Sequence, residues 1–279
     1  MNQLRELYFD HIIRPLPIRG KRRLLSWLLP ASGQIQVRLH GLSGLKLDLS
    51  EWVQRTLYLG AYELEESQWV KSVLRPGDTA IDVGANFGFY TSLFWRLVKP
   101  AGRVLAFEPN PMLFHRLKEW FEKNKVSGVE LFPNALGAET KMSTLHVLPA
   151  IESHHNATLC RVENAEQVEV NVLRLEDILE SKRISRVRLL KVDVEGFELE
   201  VLKGVEDSLS EGVIEYILVE LNDYWLRKNG TSPEHLTTYC QSLGFEISKG
   251  HIAPAGQLSN LLLKHRGTSQ TKLPGNHLP

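Results

Sequence analysis

From Thr79 onward, short apolar runs alternate with longer amphipathic ones. The runs 79-TAIDV-83, 104-VLAFE-108, 129-VELFP-133, 187-VRLLKVDV-194, 215-EYILVEL-221, 245-FEIS-248 and 260-NLLLK-264 predict strands, because β-branched and aliphatic residues are bounded by turn formers. The segments 88-GFYTSLFWRLV-98, 111-PMLFHRLKEWFEKNK-125, 175-LEDILES-181, 198-ELEVLKGVEDSL-209 and 232-SPEHLTTYCQSLG-244 predict helices. Strand and helix in regular alternation imply βαβ units around a mostly parallel sheet, the α/β class. Such sheets bind ligands beyond the carboxyl ends of their strands. Two alternating stretches, 142-MSTLHVLP-149 and 167-QVEVNVLRL-175, break the rhythm and predict added strands beside the site.

Before Thr79 the pattern differs. Residues 34-QIQVRLHGLSGLKLDLS-50 alternate polar with apolar around a turn at 41-GLSG-44, predicting a hairpin, and 61-AYELEESQWVKSVL-74 predicts a helix stopped by 75-RPGD-78. Residues 1–75 are therefore expected to form a helix and hairpin extension, 76–266 the main domain, and 267–279 a frayed tail.

The chain has 279 residues, 43% of them hydrophobic, enough for a substantial core. Lys plus Arg and Asp plus Glu both total 33, so no whole-chain positive field points to nucleic acid. Cys160 and Cys240 stand far apart, which argues against a disulfide scaffold or a cysteine zinc site. The opening MNQLRELYFDHIIRPLP lacks the apolar core of a secretory leader, and no run is long enough to span a bilayer. A soluble cytoplasmic protein is expected. One stretch, 19-RGKRRLLSWLLP-30, places four cationic residues before a Leu/Trp run. It suits peripheral contact with an anionic membrane, a helix covering the core, or a subunit contact.

The candidate chemistry collects at three strand ends. In 81-IDVGANFG-88, Gly84 lets the chain turn tightly after the first strand, and Gly88 permits tight packing or close ligand approach where the helix begins. Asn86 stands where a dinucleotide fingerprint has its middle glycine, and its side chain crowds the place of a pyrophosphate, so the bend suits a nucleoside. Glu108, at the tip of the next strand, can accept hydrogen bonds from both hydroxyls of a ribose, and Asp82 from a cationic or amino group. In 190-LKVDVEGFELEVLKG-204, Lys191, Asp193 and Glu195 alternate and so are expected to share one strand face, while Glu220 ends the following strand.

With 58-YLGAYELEE-66, 80-AIDVGANFGFYT-91, 105-LAFEPNP-111, 134-NALG-137, 171-NVLRLEDIL-179, 189-LLKVDVEGFELEVLKG-204 and 217-ILVEL-221, the chain resembles the FkbM family of S-adenosylmethionine-dependent methyltransferases. The resemblance implies a Rossmann-like, seven-stranded class I methyltransferase sheet flanked by helices. It further implies that Asp82, Gly84, Asn86 and Gly88 surround the methionyl part of S-adenosylmethionine, that Glu108 holds the ribose, and that Asn134 and Ala135 lie beside the adenine. Asp193 and Glu195 would face the methyl group and the acceptor, a hydroxyl of a sugar, glycoconjugate or other specialised metabolite.

Deprotonating such a hydroxyl calls for a base, and the candidates are Asp193, Glu195, His154 and His155. A magnesium site made by Asp193, Glu195 and Glu220 is a narrower alternative. Trp225 is placed either to stack on an acceptor or to pack. Two rival functions keep the same sheet: a nicotinamide-dependent oxidoreductase, which Asn86 disfavours, and a non-catalytic binding scaffold. Residues 1–75 would cover the acceptor site or form a homodimer contact.

Overall fold

A computed structural model describes residues 32–148 and 157–268. The hairpin β1 (Gln34–Leu39) and β2 (Leu42–Asp48) leads into helices α1 (Trp52–Tyr58) and α2 (Leu64–Val73). Then come β3 (Thr79–Val83), α3 (Phe89–Val98), β4 (Arg103–Phe107), α4 (Pro111–Lys123) and β5 (Val129–Phe132). An inserted region follows, with β6 (Ala135–Leu136), β7 (Lys141–Val147), β8 (Ala157–Thr158) and β9 (Glu166–Leu173). The chain continues through α5 (Leu175–Ser181), β10 (Val187–Val192), α6 (Glu198–Lys203), α7 (Glu206–Ser210) and β11 (Ile214–Asn222). It closes with α8 (Asp223–Lys228), α9 (Pro233–Ser242), β12 (Phe245–Gly250) and β13 (Leu258–His265).

The predicted strands assemble into one seven-stranded sheet ordered β12-β13-β11-β10-β3-β4-β5. Pairings from β11 to β5 are parallel, whereas β13 runs antiparallel to both β11 and β12. From β3 the chain steps outward to β4 and β5, then crosses back to β10 and steps the other way to β11. The order reverses between β3 and β10, and the two connections leave a crevice above their carboxyl ends. This is the α/β, Rossmann-like arrangement expected from the alternation.

Both sheet faces are covered, which is why the central strands read as unbroken apolar runs. On one face Ile81, Val83, Leu105, Phe107, Leu190, Val192, Ile217 and Val219 pack with α5, α6 and α9. On the other, Ala80, Val104, Ala106, Leu189 and Leu218 pack with α2 and α3. The hairpin joins that second layer through Val37, Leu39, Leu42, Leu45 and Leu47, so the residues read as an extension complete a core they share with the sheet. Two side chains of α4 tie the hairpin down: Trp120 Nε1 donates to the carbonyl of Ser43 at 3.0 Å and Arg116 to that of Lys46 at 3.3 Å.

Three expectations are corrected. The hairpin turns at His40 and Gly41 rather than across 41-GLSG-44, and both residues have positive φ (49° and 96°), as a two-residue hairpin loop with the native twist demands. The helix expected over 198–209 is two helices, parted where Gly204 passes so near the chain that a Cβ would lie 2.1 Å from the Gly137 carbonyl oxygen. The β10 strand ends at Val192, short of 194. Helices α1 and α8 were not anticipated. The added strands form a separate four-stranded sheet ordered β6-β9-β7-β8, with Leu145, Val170 and Val172 at its core. Among the described residues no helix is long and apolar enough to cross a membrane. Residues 19–30 lie outside them.

If the hairpin is part of the main core, Leu47→Ala will destabilise the whole domain by about 2–5 kcal/mol in a single cooperative transition. Thermal unfolding followed by circular dichroism checks this; a main transition unmoved from wild type would mean that the hairpin folds as an appendage.

Candidate active site

The turn after β3 is held by backbone. Gly84 and Ala85 both donate N–H groups to the Phe107 carbonyl, at 3.0 and 2.9 Å, which fixes the ends of β3 and β4 together. Gly84 has φ +81°, and a Cβ there would stand 1.9 Å from the Asp193 carbonyl oxygen. Glycine is required because the chain leaving β10 passes directly against the end of β3 at this point. Gly88, φ +87°, is a packing glycine: a Cβ would meet Leu117 Cδ1 of α4 at 2.4 Å. Asn86 lies between them in the left-handed region, φ 49°, a conformation asparagine tolerates.

That turn presents the Asn86 N–H to Glu108. Asn86 donates to Glu108 Oε2 at 2.7 Å and Asn110 to Oε1 at 2.8 Å, so each carboxylate oxygen keeps a further lone pair. Glu108 is only 5% exposed. Burial pushes its carboxyl up to about 7 despite the two backbone donors, which act in the opposite direction.

Glu108 forms part of the wall of a cleft with Gly84, Asn86, Asn134, Ala135, Asp193 and Glu195. Five of the seven expected cofactor residues thus meet in one place. Asp82 and Gly88 lie behind it. Asp82 is fully buried and accepts a hydrogen bond from Thr91 Oγ1 at 2.5 Å, anchoring α3 to β3, with Lys191 Nζ 4.0 Å from its other oxygen. The apolar wall comes from Phe107, Leu113, Leu136 and Phe197, and from Leu145, Ala157 and Leu159 of the inserted region. Their contribution had no local signal, because only the closing of the second sheet brings them to the cleft.

At the end of β10, Lys191 pairs with Asp193, Nζ to Oδ2 at 2.9 Å. Glu195 does not continue that strand face, as the alternation suggested: it sits in the turn beyond, at φ 53°. Several contacts hold this turn. Thr158 Oγ1 donates to the Glu195 carbonyl at 2.7 Å, and Glu198 Oε1 accepts from the N–H groups of Val194 and Gly196, both at 3.1 Å. Gly196 passes so close to α8 that a Cβ would lie 2.5 Å from the Trp225 carbonyl oxygen.

Asn222 Nδ2 donates to Glu195 Oε2 at 3.4 Å. Burial, then the charges of Asp193 and Glu198, push the Glu195 carboxyl up to about 8. Glu220 is raised for the same reasons, burial first and then Asp193 and Glu195. Carboxylate oxygens of Asp193, Glu195 and Glu220 lie within 4.8 Å of one another, the set among the described residues that could hold a divalent cation. Trp225 packs beneath Lys228, whose Nζ is 4.9 Å from a ring centroid. Cys160 and Cys240 are buried free thiols. His154 and His155 lie outside the described residues.

Known proteins resemble the chain. The profile of the Methyltransferase FkbM domain matches residues 82–247. Methyltransferase 1 of Beauveria bassiana is 34% identical over 169 residues, covering 53% of this chain and 66% of that protein. The 31-O-demethyl-FK506 methyltransferase FkbM of Streptomyces tacrolimicus is 32% identical over 166 residues, 48% and 62% of the two chains. The hexuronic acid methyltransferase AglP of Haloferax volcanii is 27% identical over 174 residues, 62% and 66%. The match spans just under two thirds of these relatives' lengths. The crystal structure of Methyltransferase FkbM from Methylobacillus flagellatus superposes with a TM-score of 0.47 at 19% identity, covering 76% of this chain and 55% of that one.

The raised carboxyls fix the sign of a pH effect. A carboxyl whose folded pKa exceeds its unfolded value stabilises the fold at low pH, and that contribution is lost as pH rises through the folded pKa. Glu108 and Glu198 are raised to about 7 and Glu195 to about 8. The melting temperature of the ligand-free protein will therefore fall between about pH 5 and about pH 8, and Glu195→Gln will flatten the fall. Scanning calorimetry across that range checks it; stability rising with pH in wild type and variant alike would contradict the assigned carboxyls.

Proposed function

Because the chain belongs to the Methyltransferase FkbM family, we propose that it transfers the methyl group of S-adenosylmethionine to a hydroxyl of a sugar, glycoconjugate or specialised metabolite. The observation that carries this is Glu108: a buried carboxylate at a strand tip, fixed by two backbone N–H groups and lining the cleft, matches the paired hydroxyls of a ribose. The apolar walls suit an adenine beside Asn134 and Ala135. A nicotinamide dinucleotide fits less well, since Asn86 takes the place where a glycine would let the pyrophosphate approach.

When bound, S-adenosylmethionine supplies a methyl group already activated by its sulfonium centre, so the protein's task is alignment and exclusion of water. Asp193, held by Lys191, fixes negative charge on the cleft wall where a cationic centre is favoured. Glu195 receives the hydroxyl proton on a carboxylate oxygen, its raised basicity placing it near the working pH of a general base. Thr158 and Asn222 orient it, one at the backbone and one at the side chain. The relatives named for 31-O-demethyl-FK506 and hexuronic acid support an oxygen acceptor. A formal net charge of zero supports a small-molecule or glycan partner over nucleic acid.

Calorimetric titration with S-adenosylhomocysteine, with NAD as comparator, tests the cofactor assignment. Wild type will bind the nucleoside product and not NAD, and Glu108→Ala will weaken that binding at least about tenfold, the loss expected for charge-assisted hydrogen bonds. NAD binding, or product binding indifferent to Glu108, would overturn it.

A further inference from the structure

The segment 58-YLGAYELEE-66 has so far no task, yet its turn packs against Tyr90, which carries the charged end of β10. Glu63 caps α2 with φ 40° and ψ 54°, a left-handed conformation that side chains other than asparagine, aspartate and histidine seldom adopt. Strained backbone of this kind persists where the surroundings over-determine it. Here the surroundings are aromatic: Tyr62 meets Phe89 edge-on at 4.9 Å and Phe87 at 5.8 Å, which seats the turn against the loop that carries Asn86. The Tyr90 phenol donates to Glu63 Oε2; burial pushes the Glu63 carboxyl up, while the Lys191 charge and this hydrogen bond favour its ionised form.

Tyr90 also carries Lys191, whose Nζ lies 4.7 Å from its ring centroid. The ammonium is thus surrounded. Asp193 is 2.9 Å away, Asp82 4.0 Å, and the charge of Glu63, which holds the Tyr90 hydroxyl, also acts on it through space. Three carboxylates share one ammonium, so Asp193 keeps net negative potential on the wall of the cleft. Remove the Glu63 charge and Lys191 neutralises Asp193 more completely. A ligand with a fixed positive charge would feel that change, and a neutral one of the same shape would not.

We propose that Glu63 is a positioning residue that sets the preference of the cleft for the cationic sulfonium cofactor over its neutral thioether product. The inference rests on the cofactor assignment above. Methyl transfer removes the sulfonium charge, so the same carboxylates that hold the substrate form of the cofactor release their grip on the product form.

The test is calorimetric titration of wild type, Glu63→Gln and Tyr90→Phe, at low salt, with three probes: S-adenosylmethionine, S-adenosylhomocysteine, and sinefungin, in which an amine stands for the sulfonium. Glu63→Gln will weaken the two cationic probes by about fivefold or more and the thioether by less than about twofold, as expected for one charge removed at moderate distance. Tyr90→Phe, which keeps the charge but frees its tether, will shift the ratio in the same direction, and it decides the matter if Glu63→Gln melts far below wild type. Equal loss for all three probes would make Glu63 a structural support and overturn the inference alone. Failure of wild type to bind any probe would overturn the cofactor assignment and this inference with it.

Discussion

One buried ammonium holds the end of the sheet together. Lys191 lies on β10 opposite Asp82 of β3, a register fixed by the parallel pairing, and its charge is shared by Asp82, Asp193 and Glu63. Buried carboxylates at the tips of adjacent strands would repel one another and the fold; the lysine offsets enough of that repulsion for the strands to meet. They meet very closely, since Gly84 leaves no room for a side chain against the Asp193 carbonyl. The junction of β3 and β10 is where the strand order reverses, so the electrostatic knot and the crevice occupy the same place for the same topological reason.

The cleft is built from both sides of that junction. Phe107 and Glu108 come from the β4 side, Asp193 and Glu195 from the β10 side, and the inserted sheet closes the third wall with Leu145, Ala157 and Leu159. The insertion also fixes the turn that carries Glu195, through the hydrogen bond from Thr158 to its carbonyl. It therefore both walls the cleft and holds a side chain in place, two tasks that the proposed hydroxyl-directed transfer would require together. The hairpin and α2 serve the opposite face, where they bury the layer beneath Asp82 and Lys191 and set Glu63 against Tyr90.

What could be read along the chain was what is local. Glu108 was visible because an acidic residue followed by proline ends an apolar run, and Asn86 because two glycines frame it in a strand-to-helix bend. The role of Asp82 was not, since only the packing of α3 brings Thr91 to it. Glu195 was placed one step wrong: alternation in the sequence continued past the point where the backbone left the strand, and nothing local marks its positive φ. Phe197 and the inserted sheet's apolar residues reach the cleft through contacts distant in sequence, which periodicity does not encode. Glu63 lay within a motif that carried the family likeness, but its partners Tyr90 and Lys191 stand on two other elements.

The most direct measurement is the crystal structure of the chain grown with S-adenosylhomocysteine. The ribose hydroxyls are expected on the Glu108 carboxylate, the adenine beside Asn134 and Ala135, and the sulfur toward Asp193. A nucleoside bound elsewhere, or Glu108 contacted by nothing beyond the Asn86 and Asn110 N–H groups, would contradict the assignment of this cleft.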